Sequence, residues 1–296
     1  MQLAEKYGYA PADDAIAANI QAIASNLDSM TTKEVLLKCF SFMDLTTLHP
    51  QDTVKSVTKL VDKTNLLKTE YPEYPSPASV CVFPNFSSVA AARRACPELH
   101  VTAVAGCFPA SQSFIEVKVL ESRLAVRQGA DEVDIVLALN SFLAGDYDTA
   151  AAEIAAVRAA VDEEGAAQGR RIVLKVILET GVLLTPELIA DAAFLAMEAG
   201  ADFIKTSTGK VEVNATPAAA YVMCECIKKY YERTGRMVGF KAAGGISTAK
   251  DALCYYFIVS VVLGKDWLDK EHFRFGVSRL GNSLMGAIEQ KTVNFF

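Results

Sequence analysis

Lys205 closes the run Ala201-Asp202-Phe203-Ile204-Lys205 and is followed at once by Thr206-Ser207-Thr208-Gly209-Lys210. The run alternates, then breaks into small polar residues and a glycine, which is the pattern of a strand feeding a loop. Lys241 repeats the arrangement 36 residues later, in Val238-Gly239-Phe240-Lys241-Ala242-Ala243-Gly244-Gly245. Asp134 sits in Glu132-Val133-Asp134-Ile135-Val136, and Lys175 in Leu174-Lys175-Val176-Ile177. Alternate side chains of a strand share a face. Lys205 then shares a face with Phe203, and Lys241 with Gly239, while Val133, Ile135, Leu174, Val176 and Ile204 face the other way. On a closed sheet, three lysines and one aspartate would converge in the interior. Burial and neighbouring cations both lower a lysine pKa, and a neutral amine near pH 7 attacks a carbonyl carbon. The residues therefore point to Schiff-base chemistry with no metal. Taken singly, each lysine is explained as well by an ion pair at a strand end. Their joint occurrence, with glycine-rich loops after two of the strands, favours catalysis.

A second set of residues has the chemistry of anion binding. Gly244-Gly245-Ile246-Ser247-Thr248 places two glycines and a hydroxyl cap before a helical pattern, where backbone N–H groups gather on an anion. Gly276-Val277-Ser278-Arg279 follows the last strand, and Thr208-Gly209-Lys210 supplies a third donor set. An ordinary tight turn accounts for each glycine alone. Three such loops in chain order argue for a phosphate. Asp44 and Thr46 end the first strand and reach the same mouth, or else cap a loop. Cys81 lies mid-strand among apolar neighbours and reads as a buried thiol rather than a nucleophile. With Asp44, Thr46 and Lys175 it completes the residues expected around the substrate. Glu179 is the expected partner of Lys175. His49 and His272 read as surface or structural residues.

The elements must now place these groups. The chain has 296 residues, 51% of them hydrophobic, enough for one large core. Strands are expected at Phe40–Asp44, Ser79–Phe83, His100–Ala105, Glu132–Leu137, Ile172–Ile177, Asp202–Thr206, Val238–Ala242 and Phe273–Gly276. Helical periodicity fills the intervals at Asp52–Lys63, Val89–Arg94, Phe114–Gln128, Asp148–Glu163, Pro186–Ala199, Thr216–Tyr231 and Thr248–Leu263, with a last helix at Asn282–Gln290. This alternation predicts an α/β fold, a TIM (β/α)8 barrel. A doubly wound open sheet is disfavoured, since no G-x-G-x-x-G turn follows the first strand. Residues 1–35 read as an N-terminal helical extension, 36–290 as the catalytic barrel and 291–296 as a tail. Gly129-Ala130-Asp131 and Gly200-Ala201-Asp202 recur at helix-to-strand junctions, as repeated βα units would.

A net charge of −6 argues against a nucleic-acid partner. Seven cysteines show no disulfide or zinc spacing and three histidines lie far apart, so neither metal nor cofactor is expected, and a reducing, cytoplasmic setting is. No signal segment opens the chain, and the longest apolar run, Tyr255 to Leu263, is too short for a membrane span.

The chain resembles the deoxyribose-phosphate aldolases from about residue 40 to 288. The matching stretches are Asp44-Leu45-Thr46-Thr47-Leu48, Gly129 to Asp134, Leu174 to Ile177 with Glu179-Thr180-Gly181, Gly200 to Lys210, Val213 to Pro217, Gly239-Phe240-Lys241 with Gly244-Gly245, and Arg274-Phe275-Gly276. The resemblance implies a metal-free class I aldolase. It would cleave 2-deoxy-D-ribose 5-phosphate reversibly to acetaldehyde and D-glyceraldehyde 3-phosphate. Lys205 would form the Schiff base, Lys241 would lower its pKa, and Asp134 would take part in proton transfer. Gly209, Lys210, Gly244, Gly245, Gly276 and Ser278 would hold the phosphate, and family habit implies a homodimer. Three features depart from the family pattern. Arg279 stands where a second serine is usual, Ala242 follows Lys241 where proline is common, and the chain ends in Phe295-Phe296, without a terminal tyrosine. Two other readings are a transaldolase-like Schiff-base enzyme, separable by its products, and a phosphosugar-binding barrel without turnover. Intact Lys205, Lys241 and Asp134 speak against the latter.

Overall fold

The structure, a computed structural model, describes residues 3–296. Eight parallel strands close into a barrel in sequence order: β1 Met43–Thr46, β2 Ser79–Val82, β3 His100–Val104, β4 Glu132–Val136, β5 Val173–Ile177, β6 Phe203–Lys205, β7 Gly239–Ala243 and β8 Phe273–Val277. β8 returns to pair with β1, so no sheet edge is exposed. The expected TIM barrel is the observed fold.

The helices, in chain order, are α1 Leu3–Lys6, α2 Asp13–Met30, α3 Lys33–Ser41, α4 Val54–Glu70, α5 Ser87–Arg93, α6 Ile115–Arg127, α7 Leu139–Leu143, α8 Tyr147–Ala167, α9 Thr180–Leu183, α10 Pro186–Glu198, α11 Pro217–Thr234, α12 Ala249–Val262 and α13 Leu280–Glu289. Their starts are written locally. Thr53, Thr185, Thr216 and Thr248 each accept an N–H of the first turn on the side-chain oxygen, and proline follows two of them. One expected strand is displaced: Phe40 belongs to α3, and β1 starts only at Met43. Leu36, Cys39 and Phe40 are three or four residues apart and fully inward, so helical burial wins over the short apolar run. α3 also runs across position 35/36.

The recurring Gly-Ala-Asp works as a staple. Gly129 and Gly200 take positive φ values of 100° and 107°, turning the chain from helix into strand. Asp131 then accepts the Val101 N–H at 2.9 Å and pairs with Arg170 at 2.8 Å. Asp202 accepts the Leu174 N–H at 2.9 Å and pairs with Arg158 at 2.8 Å. Each aspartate thus ties the start of its own strand to the neighbouring one. Outward strand residues, such as Val133, Leu174, Val176, Ile204 and Phe240, are fully buried under the helices.

The first helices pack on the barrel's outer ring, α1 on α10 and α2 on α11 and α12. The Tyr7 ring stacks on Phe194 at 4.2 Å, and its hydroxyl donates to Glu198 at 2.6 Å. The Ala4 N–H donates to the Asp191 carboxylate at 2.8 Å. Tyr7→Ala should lower stability by about 2–4 kcal/mol, the cost of emptying a large aromatic site. A thermal melt with an unchanged midpoint would remove the extension from the folded unit.

Candidate active site

The strand register sets Lys205 and Lys241 side by side. Lys205 on β6 stands opposite Lys241 on β7, which stands opposite Arg274 on β8. One step over, Asp134 on β4 stands opposite Lys175 on β5. All of these side chains point inward, as alternation requires.

The Asp134 carboxylate is the hub. Its Oδ2 accepts from Lys205 and from Lys241, each at 2.9 Å, and its Oδ1 accepts from Lys175 at 2.9 Å. Lys241 also donates to Asp44. Lys175 pairs with Glu132 at 2.5 Å and stands 3.7 Å from Asp44. Arg274 donates to Asp44 at 2.7 Å and to Glu132 at 2.8 Å. Thr102 and His100 complete the shell of Glu132, at 2.8 and 2.7 Å. Every charged member of this layer is buried.

The electrostatics separate the three amines. Burial opposes the charged forms of Asp134 and Lys241. The three ammoniums nonetheless hold Asp134 well below the usual carboxylate range, and Asp134 with Asp44 holds Lys241 above the usual lysine range. Lys175 is likewise raised against its burial by Asp134 and Glu132. Lys205 moves the other way. Burial lowers its pKa, Lys241 adds to that, and the one carboxylate it touches does not compensate. Lys205 is the one amine of the three whose pKa is lowered.

Above this layer opens a cavity of about 260 Å³ with Lys205 on its floor. Thr46, Thr208, Gly209, Lys210, Gly244, Gly245, Gly276, Ser278 and Arg279 line it, so nine of the expected binding residues meet on one wall system. Asp44, Cys81, Lys175, Lys241 and Asp134 lie in the layer beneath and are absent from the wall. Burial pushes the Cys81 thiol up, which keeps it protonated. Gly244 has φ 86°, and a Cβ there would meet Asn214 at 2.7 Å, so the loop demands glycine. Glu179 does not pair with Lys175. It holds a left-handed φ of 57° and accepts from the Thr208 N–H at 3.0 Å and hydroxyl at 2.5 Å, bracing the loop after β6. Lys175 is claimed instead by Glu132 and Asp134, which stand on the adjacent strand.

Sequence reasoning missed Glu132 and Arg274 as members of the charged layer, and Leu48, His49, Asn214 and Ser247 on the cavity wall. The alternation rule would have found the first two. Glu132 is two residues from Asp134, and Arg274 is two from Gly276.

Buried amines at the floor of an open cavity on a closed barrel are a setting for the carbonyl chemistry of an aldolase. The sequence model of the DeoC/LacD family aldolases matches residues 39–255, and the chain belongs to that family. A Caenorhabditis elegans protein named "Putative deoxyribose-phosphate aldolase" is 40% identical over 270 residues, covering 90% of this chain and 85% of its own. Among solved structures, "QR15, an Aldolase" superposes with a TM-score of 0.66 at 26% identity, covering 85% of this chain and 96% of that one. The tetrameric deoxyribose phosphate aldolase of Aeropyrum pernix has a TM-score of 0.66 at 24% identity, covering 92% and 97%, and shares the fold. The chain is thus an enzyme of the aldolase class, a carbon–carbon lyase. No described helix is long and apolar enough to cross a membrane.

Glu179→Ala should speed hydrogen exchange at the Thr208 amide by about 10-fold, the loss of about one net hydrogen bond. Protection in α8 should not change. An unaltered Thr208 amide would mean that the loop is braced elsewhere.

Proposed function

We propose that the enzyme cleaves 2-deoxy-D-ribose 5-phosphate reversibly to acetaldehyde and D-glyceraldehyde 3-phosphate, through a Schiff base on Lys205. The observation that carries this reading is the asymmetry of the amines. Lys205 alone reaches the cavity and has a lowered pKa, while Lys241 and Lys175 are held as ammoniums beneath it.

The neutral Lys205 amine attacks C1 of the open-chain sugar, and loss of water leaves a protonated imine. The C2–C3 bond breaks, its electron pair moves into the imine as an enamine, and the C3 hydroxyl loses its proton to form the glyceraldehyde carbonyl. The C3 hydroxyl proton passes through a water to the Asp134 carboxylate, which the Lys241 ammonium holds in place, and returns from there to C2 of the enamine. Water then hydrolyses the imine and releases acetaldehyde. The phosphate lies at the mouth, against the N–H groups of Gly209, Gly244, Gly245 and Gly276, with Ser278, Lys210 and Arg279 adding a hydroxyl and charge. Thr46 and Thr208 flank the sugar. Asp44, Cys81 and Lys175 act from below, by holding the amines in place. Unbridged thiols throughout fit a reducing cytoplasm.

The test is trapping. The enzyme is incubated with 2-deoxyribose 5-phosphate, reduced with borohydride, digested and weighed. The adduct mass should fall on the peptide carrying Lys205, and Lys205→Leu should fold yet lose both the adduct and at least ~1000-fold of turnover. An adduct on Lys241 would exchange the two roles, and no adduct on folded enzyme would overturn the reading. A transaldolase-like enzyme would instead yield a transferred three-carbon product.

For assembly we propose a homodimer. The surface that favours it is the outer stripe of α6, where Val117, Leu120 and Leu124 are 46%, 55% and 43% exposed and Phe114 just ahead is 78% exposed. Sedimentation should give twice the chain mass, and Leu120→Glu should give a monomer. A monomeric parent enzyme would end this proposal.

A further inference from the structure

The barrel interior holds four basic side chains, Lys175, Lys205, Lys241 and Arg274, against three carboxylates, Asp44, Glu132 and Asp134. All seven are buried. With every group ionised the layer carries one positive charge in excess, which a low-dielectric interior penalises. A guanidinium does not release its proton in a protein. The proton must therefore leave a lysine, and the contacts decide which one. Lys175 has three carboxylates within 4 Å, Lys241 has two, and Lys205 has only Asp134.

Arg274 creates this imbalance. It lies over the Phe203 ring at 5.6 Å and takes one oxygen of Asp44 and both of Glu132, at 2.7, 2.8 and 3.2 Å. Neither Arg274 nor Glu132 lines the cavity or touches Lys205. We propose that Arg274 and Glu132 are a positioning pair that sets the protonation of the site. Arg274 supplies the fixed extra cation, Glu132 limits that excess to one charge, and Lys205 is the group that discharges it. The inference rests on Lys205 being the nucleophile and explains why that amine is free.

The other groups facing Lys205 act within this balance. Lys241 on β7 lowers its pKa and Asp134 on β4 raises it as direct neighbours, and the Cys81 thiol of β2 is held protonated. Asp44 on β1 and Lys175 on β5 stand behind them. At the cavity wall, Lys210 donates to the Leu48 carbonyl, while His49 and Arg279 stand at the open mouth, and Glu179 is committed to Thr208.

The charge count predicts opposite shifts from two neighbouring substitutions. Arg274→Gln leaves three lysines against three carboxylates, so the Lys205 midpoint should rise by about one pH unit or more. Glu132→Gln leaves four cations against two carboxylates, so the midpoint should fall by a similar amount. The double variant restores the excess of one and should return the midpoint to within about half a unit of the parent's. The midpoint is read directly by competitive acetylation of the full-length enzyme with acetic anhydride across pH, with the Lys205 peptide quantified by mass. Circular dichroism checks the fold of each variant.

Opposite shifts in the single variants and recovery in the double support the proposal. Shifts of the same sign, or an unmoved midpoint in a folded single variant, overturn it. A single variant that does not fold does not protect the proposal, because the double variant removes both partners and leaves no unpaired charge. A displaced midpoint in the double variant overturns it alone, and a parental one, with Arg274→Lys also at the parental value, supports it. Labelling needs no substrate. A Lys205 that titrates as stated but traps no imine would sink the catalytic reading and leave this one standing.

Discussion

One carboxylate shared by three buried amines governs this molecule. Asp134 receives Lys175, Lys205 and Lys241 at a common 2.9 Å, inside a barrel whose outward strand residues include Val, Ile, Leu and Phe packed under the helices. Placing that much charge in a low-dielectric interior is unfavourable unless each group is paired with good geometry. The closed barrel supplies the geometry, because β4 to β7 are successive neighbours and each contributes one inward side chain, Asp134 and Lys175 opposite each other and Lys205 and Lys241 opposite each other two residues further along. A flat or open sheet would leave these groups in a row along one face. Closure lets them meet across the interior.

Two layers of different physics divide the work. The lower layer is charged and buried, each member touching a group of opposite charge, and its contacts lower the pKa of Lys205 while raising those of Lys175 and Lys241. The upper layer is built of backbone N–H groups, hydroxyls and glycines around an open cavity. It offers partial positive charge from dipoles and full charge only at its edge, from Lys210 and Arg279. An anion at the rim is therefore bound without adding a mobile cation next to Lys205. The separation matters, because a further ammonium or carboxylate placed on the cavity floor would disturb the charge count that holds Lys205 apart from the others.

Much of this was legible in the chain. The barrel follows from eight short apolar runs alternating with helical patterns, and Lys205, Lys241 and Asp134 stood out as charged residues on the inward positions of such runs, the two lysines just ahead of small or glycine-rich residues. The loops that line the cavity were legible as glycines ahead of helix starts. The register between strands was not, because it depends on closure rather than on any local run. Glu179 shows the consequence. It follows Lys175 by four residues and looked like its partner, yet a sharp left-handed turn sends it to Thr208. Arg274 and Glu132 were hidden for another reason. In sequence they look like ordinary charged residues near strand starts; alternation places them on the inward face, but which groups they meet there is set by the closed barrel. Phe40 was lost to a real ambiguity, since a short apolar run fits a strand or the last turn of a helix equally well.

Asn282 on α13 accepts the N–H groups of Phe295 and Phe296 at 2.9 Å each, and its amide donates to the Phe296 carbonyl at 3.1 Å. This clamp lays Phe296 along a second cavity of about 280 Å³, which shares Thr46, His49 and Ser278 with the first. Phe296 therefore lines the wall beside the site with an apolar ring. On the floor of the first cavity, Lys205 touches one carboxylate, Asp134, which also receives Lys241 and Lys175. Under the proposed reaction, the carboxylate that would carry the proton is thus the one whose contacts set Lys205 apart from the other amines, so nucleophile and proton carrier would be two consequences of one buried arrangement.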